Sequence, residues 1–126
     1  MKMGEIKKIG QIGVPAKDIE RATAFYKDKL GLQLLFNTDT MAFFDCDGVR
    51  LLVSLPEKEE FAHASSVLYF QVEDIQQAYE NYKEKGIVFI DEPHIVAKMG
   101  QTETWMVFFN DTEDNMHGLM SEVMVG

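Results

Sequence analysis

The chain has 126 residues, 21 acidic and 12 basic, a net charge of −9 at pH 7, and 46% hydrophobic residues. This length suits one domain able to bury a core without disulfide or metal staples. The acidic balance and scattered lysines argue against a nucleic-acid or anionic-membrane partner, and no apolar run approaches the ~18 residues of a membrane span.

Met1 to Glu5 has no apolar stretch behind it, so no signal peptide is read. Ile6 to Val14 reads as a first strand, with Ile12 and Val14 on one face and Gln11 and Gly13 on the other. Pro15 ends it. Asp18 is a helix N-cap, and Ile19, Ala22, Phe25, Tyr26, Lys29 and Leu30 follow at helical spacing until Gly31 closes the helix. Strands are expected at Gln33–Phe36, Met41–Asp45 and Arg50–Leu55, the last two joined by Cys46-Asp47-Gly48, whose Asp-Gly is a hairpin signal. Cys46 is the only cysteine and has no adjacent histidine, so it reads as neither disulfide, zinc ligand nor nucleophile. With no second thiol to pair, a reducing cytoplasm is the expected location.

Residues 56–65 read as a polar linker. Ser66–Glu73 follows as a strand, with Val67, Tyr69 and Gln71 opposing Leu68, Phe70 and Val72. Asp74 caps a second helix, with Gln77 at the reciprocal capping position and Gly86 at the end. Ile87–Ile90, Ile95–Lys98, Thr104–Asn110 and Met116–Val123 are the remaining strand candidates.

Asp18-Ile19-x-x-Ala22-x-x-x-Tyr26-Lys27-x-Lys29 returns as Asp74-Ile75-x-x-Ala78-x-x-x-Tyr82-Lys83-x-Lys85, every identity at one offset of 56 residues. The pattern implies one domain over residues 1–126, made of two units at about 6–55 and 66–124. Each unit is read as strand, helix, three strands, an α+β class.

Two such units resemble the vicinal oxygen chelate superfamily of glyoxalases, bleomycin-resistance proteins and extradiol dioxygenases. The resemblance rests on Ile12-x-Val14 before Asp18-Ile19, on Phe25-Tyr26-x-x-x-Leu30-Gly31, on Phe70-x-Val72-x-Asp74-Ile75, and on Phe109-x-Asp111-x-x-x-Asn115. It implies curved sheets forming a cup. In metal-dependent members it also implies a histidine on the first strand and a glutamate on the last strand of each unit. Those positions fall on Gln11, at or near Ser54, on Val67, and on Gly118. One amide oxygen and no carboxylate do not make a divalent-metal or acid/base site, so no metal and no cofactor are expected. Strand alternation puts His117 on the face opposite Gly118, while His63 and His94 lie in linker and loop.

The ligand-binding candidates lining the cup are Gln11, Arg50, Ser54, Val67, Tyr69, Trp105, Gly118 and Met120, with Arg50 to meet an anion, Tyr69 and Gln11 to hydrogen-bond and Trp105 to stack. Filling of the cup by its own side chains is the alternative. The resemblance supports two functional readings. One is a metal-free, sequestering small-molecule binder that works as a homodimer. The other is a divalent-metal lyase, isomerase or thiol transferase.

Overall fold

The computed structural model describes residues 8–56 and 67–125. The expected linker core, His63, Ser66 and the start of the first expected strand lie outside the described residues. Two four-stranded sheets and two helices make an α+β fold. β1 (Gln11–Pro15), β2 (Gln33–Asn37), β3 (Met41–Cys46) and β4 (Val49–Ser54) form one sheet in the order β1-β4-β3-β2. β5 (Leu68–Gln71), β6 (His94–Met99), β7 (Thr102–Asn110) and β8 (Met116–Met124) form the other, in the order β5-β8-β7-β6. In each sheet the first and last strands run parallel and the other pairs antiparallel. A parallel neighbour requires a crossover rather than a hairpin, and the helix of each half begins that crossover. Ile87–Ile90, expected as a strand, contributes only an isolated bridge between Phe89 and Phe109. Three strands therefore follow the helix in the second half too.

α1 runs over Ile19–Ala24 and continues as a π-helical turn over Phe25–Lys29. Asp18 caps it, accepting from the Arg21 amide at 3.1 Å. The π turn is marked by the Leu30 amide donating to the Phe25 carbonyl at 3.0 Å. It takes up one residue that α2 (Ile75–Glu84) lacks. The helices end at Gly31 (φ 76°) and Gly86 (φ 93°), where a left-handed conformation favours glycine. The Leu32 amide then donates to the Tyr26 carbonyl, and the Ile87 amide to the Tyr82 carbonyl. Leu32 and Ile87 are thus matching positions, and the offset between halves drops from 56 to 55 across the π turn. Asp74 caps α2 through the Gln77 amide at 3.0 Å. The Gln77 side chain instead donates to Asn81 Oδ1 at 2.9 Å, so only half of the expected capping box forms.

One face of each sheet packs with the helices into a single core. The first half supplies Val14, Ala22, Phe25, Tyr26, Phe44, Leu51 and Val53 among others, and the second supplies Ile75, Ile87, Val107, Phe109 and Leu119. Polar groups bridge the halves inside this core. The Tyr26 hydroxyl donates to Asp111 Oδ2 at 2.6 Å and lies 2.7 Å from His117 Nε2. Since the hydroxyl has one proton, Nε2–H is the donor in the second contact. Asp111 also accepts from the amides of Glu113 and Asn115 and from Asn115 Nδ2. Asn115 Nδ2 also donates to the Pro15 carbonyl at 2.9 Å. Glu113 accepts from the amides of Lys17 and Asp18 and from Arg21 Nε, so it seats the start of α1 from the other half.

Burial alone would raise both carboxyl pKa values. At Asp111 the nearby His117 ring, the Tyr26 hydroxyl and the Asn115 groups outweigh it and hold the value at about 2. At Glu113 the donors from Arg21, Asp18, Thr112 and Lys17 do the same, again to about 2. Burial first, then the Asp111 charge, pushes the Tyr26 phenol far above its usual range.

Candidate functional site

The face of each sheet turned away from the core is the candidate site. Register decides its members, because residues directly across a ladder share a face. On the first sheet Gln11 pairs with Arg50, Gly13 with Leu52, Phe43 with Leu52, and Met41 with Ser54, while Phe36 pairs with Phe43. On the second, Tyr69 pairs with Gly118, Phe108 with Gly118, Met106 with Met120, and Thr104 with Glu122. The walls are apolar and half open: Phe36 is 50% exposed, Tyr69 48% and Met116 38%.

Arg50 is the only arginine on these faces. Its Nε donates to Gln11 Oε1 at 3.1 Å, and its guanidinium lies 5.2 Å from the centre of the Phe43 ring. Among the described residues no carboxylate reaches it within ion-pair distance. Glu122, the carboxylate on the corresponding face of the other sheet, sits across from Thr104 instead. Rings line the floor on both sides. Phe36 and Phe43 have centroids 6.0 Å apart, and Tyr69 and Phe108 meet edge to face at 6.1 Å.

The expected site residues Gln11, Arg50, Ser54, Tyr69, Gly118 and Met120 fall on these open faces, and Val67 immediately precedes β5 on the Tyr69 side. Trp105 does not. It pairs with Ser121 on the opposite face of β7 and packs against the core. The reason is parity: Phe108 faces the site, so Trp105, three residues earlier, faces the helix. His117 lies on the helix side, opposite Gly118, as alternation requires, and is buried. The rings Phe36, Phe43 and Phe108 escaped the sequence reading. Their signal was present in the alternation of β3 and β7 but needed the register to assign a side.

One position carries a correction. Leu52 pairs with Gly13, and Gly118 with Tyr69, the residue 56 further on. The first-half counterpart of Gly118 is therefore Leu52, and Ser54 corresponds to Met120. The space beside Gly118 is filled. A Cβ there would lie 3.1 Å from Tyr69 Cδ1 and 3.3 Å from Phe108, so the two rings occupy the space a side chain would take. The matching set across both sheets is then Gln11, Leu52, Val67 and Gly118. These residues do not fit a metal ion. Three carry no donor, and the one amide oxygen already accepts from a guanidinium, whose charge repels a cation. Among the described residues no group of three or more His, Cys, Asp or Glu is placed to hold one.

No hydrogen bond, ion pair or ring contact joins side chains of the two open faces among the described residues. Among the described residues no helix is long and apolar enough to cross a membrane.

Residues 8–119 match the model of the Glyoxalase/Bleomycin resistance protein/Dioxygenase superfamily. The chain is 31% identical over 125 residues to the uncharacterized protein YurT of Bacillus subtilis, covering 86% of this chain and 94% of that one. In fold it is similar to TnmS3, an antibiotic binding protein from a Streptomyces species. The TM-score is 0.77 at 19% identity, over 97% of this chain and 100% of the other. It is also similar to lactoylglutathione lyase from Agrobacterium tumefaciens, with a TM-score of 0.74 at 18% identity over 93% and 95% of the two chains. With the family model spanning most of its length, the chain belongs to the glyoxalase/bleomycin resistance protein/dioxygenase superfamily.

Proposed function

We propose that this protein binds a small molecule on its open sheet faces without metal, holding rather than transforming it. Arg50 carries the reading. It stands on an aromatic wall, oriented by Gln11 and Phe43; Asp45 lies across the ladder but accepts from the Gly48 amide, and no carboxylate of the described residues comes within ion-pair distance. A guanidinium so placed presents donors to a carboxylate, phosphate or carbonyl oxygen, and the rings beside it favour a planar body. The ligand class is therefore an aromatic molecule with an anionic or carbonyl group. The antibiotic binding of TnmS3 is a precedent for the fold at work by binding. Each half-exposed face is completed by the facing sheet of a second copy, which makes the working unit a homodimer. The compartment is the cytoplasm.

A thermal-shift screen of aromatic carboxylates, phosphates and ketones tests this. Binding raises apparent stability by about 2.7 kcal/mol at a hundredfold excess over Kd. Hits are expected to weaken in Arg50→Met. Hits unchanged in Arg50→Met would place the site elsewhere. A near-stoichiometric zinc, nickel or manganese content after dialysis would favour the metal-dependent lyase or isomerase reading, and a monomer at micromolar concentration would remove the dimer.

A further inference from the structure

A second cavity lies on the helix side, away from the open faces. Its volume is about 310 Å³, and its lining is Glu73, Asp74, Ile75 and Gln76 at the start of α2, with Trp105, Ser121 and Val123 from β7 and β8. That volume lies at the small end of the range for ligand pockets.

Three independent features mark the cavity. Ser121 is 1% exposed, and its hydroxyl has no hydrogen-bond partner among the described residues. A buried hydroxyl left unpaired costs free energy, so it gains from a polar group placed against it. Trp105, directly across the ladder from Ser121, supplies an aromatic wall. Its own indole N–H is committed to Glu103 at 3.3 Å, which leaves the ring rather than the N–H as the contact surface. At the rim Glu73 and Asp74 place two carboxylates. The positive end of α2 amounts to roughly half a charge, and Asp74 already answers it by capping the Gln77 amide. The balance at the mouth is negative, in a chain of net charge −9, so an anion is repelled and a cation drawn in.

We propose that this cavity is a separate binding site for a small aromatic amine, its ring against Trp105, its N–H groups shared between Ser121 Oγ and the Glu73 and Asp74 carboxylates. The proposal is independent of the open-face reading.

The chain has one tryptophan, so its emission reports on this cavity alone. The test titrates the intact protein with 2-phenylethylamine, and with phenylacetate as the anionic counterpart, exciting at the red edge of indole absorption. A saturable change in Trp105 emission is expected with the amine, about tenfold weaker with phenylacetate. Ser121→Ala is expected to weaken amine binding severalfold, and Val123→Phe, which fills the mouth from a part-exposed position, to abolish it. Arg50→Met should leave it unchanged. Thermal melts of each variant verify that it is folded. No saturable change with amine at millimolar concentration, equal binding of phenylacetate, or an amine response that persists in both folded cavity variants would each overturn the proposal.

Discussion

Ala22 and Ala78 occupy matching positions on the two helices, as do Tyr26 and Tyr82, yet their surroundings differ. Ala22 and Tyr26 are fully buried, while Ala78 and Tyr82 are half-buried. α1 is the central helix and α2 a peripheral one. The polar groups follow the opposite rule. Among the described residues the buried polar ones, Asp111, Glu113, Asn115, His117 and Ser121, all come from the second half. Four of them close around α1 or its approach, and the fifth faces the cavity beneath α2. One architecture therefore holds its two helices by different means. The first is locked by a buried hydrogen-bonded bridge, and the second rests on Ile75 and a few ring contacts such as Tyr79 with Phe89.

The comparison breaks most visibly at the tyrosines. Tyr26→Phe strips the donor from Asp111 and the partner from His117 Nε2, both buried. Asp111 keeps its donors from Glu113 and Asn115, so the cost is chiefly that of leaving the buried His117 Nε2–H unpaired, about 1–3 kcal/mol. Tyr82→Phe loses one long contact, 3.4 Å to the Leu30 carbonyl, at a part-exposed position, and is expected to cost under about 1 kcal/mol. Urea denaturation of both variants measures the contrast. Equal losses would mean that the two helices are held alike.

How far this was legible in the sequence differs by feature. Caps, glycine stops and the Asp47-Gly48 hairpin depend on local chemistry, and the chain states them directly. Asp47 at φ 49° and Gly48 at φ 91° make the turn that the Asp-Gly pair announces. The offset of 56 located matching residues as far as Lys29 and Lys85. Beyond that, the π turn shifts the count by one, and nothing local marks it. The four-residue pattern continues through it, and only the later return of Gly31 against Gly86 shows the change. Alternation placed His117 correctly. It did not settle the side of Trp105, expected in the cup and found against the core, because an isolated strand has two faces and only pairing with β8 selects one. The position expected at or near Ser54 falls two residues earlier, on Leu52, for the same reason: strand register belongs to the sheet. The turn over Asp111 to Asn115 carries part of the family resemblance, and Glu113 in its middle holds the start of α1. That role depends on a contact about 95 residues away in sequence, which no local pattern shows.

The bridge also has a pH signature. Asp111 and Glu113 have folded pKa values of about 2, below ordinary values of 3.8 and 4.5. A depressed folded value stabilises above the unfolded pKa, and that stability is lost as pH falls towards the folded value. The loss is therefore expected between about pH 4.5 and pH 2, at a few kcal/mol in total. Glu113→Gln keeps a carbonyl acceptor but gives up the ion pair with Arg21. It is expected to cost about 1–2 kcal/mol at neutral pH and to flatten the acid limb of the stability curve. An acid limb as steep as in the wild type would assign the pH dependence to other carboxylates.

Gly118 sharpens the comparison on the open faces, where the first half carries Leu52 at the matching position. Gly118→Ala forces Tyr69 and Phe108 to yield a few tenths of an ångström. Tyr69 is half exposed and can swing outward, so the cost is expected near 1 kcal/mol rather than the larger penalty of a closed core. In a Tyr69→Ala background the same substitution should cost less, and a double-mutant cycle reads the difference. Additivity would mean that Tyr69 does not fill the space above the glycine.

The smallest effect is expected at two of the hairpin turns. Both have a non-glycine residue in left-handed conformation, Asp47 at φ 49° and Asp114 at φ 68°. At Asp114 a glycine relieves roughly 1 kcal/mol of backbone strain, but it also adds unfolded-state entropy and removes the Lys17 ion pair at 2.6 Å. That pair is exposed on both sides and contributes about 0–1 kcal/mol. These contributions nearly cancel, so Asp114→Gly should shift stability by about 0.5 kcal/mol or less. Salt separates them. Screening at about 1 M shortens the Debye length to about 3 Å and weakens the pair in the wild type alone. The balance should then tip towards the glycine variant as salt rises, while Asp47→Gly should respond less, since Asp47 makes no ion pair among the described residues. An Asp114→Gly effect that is large and insensitive to salt would mean that the side chain of Asp114 is part of the buried bridge rather than an ornament on its turn.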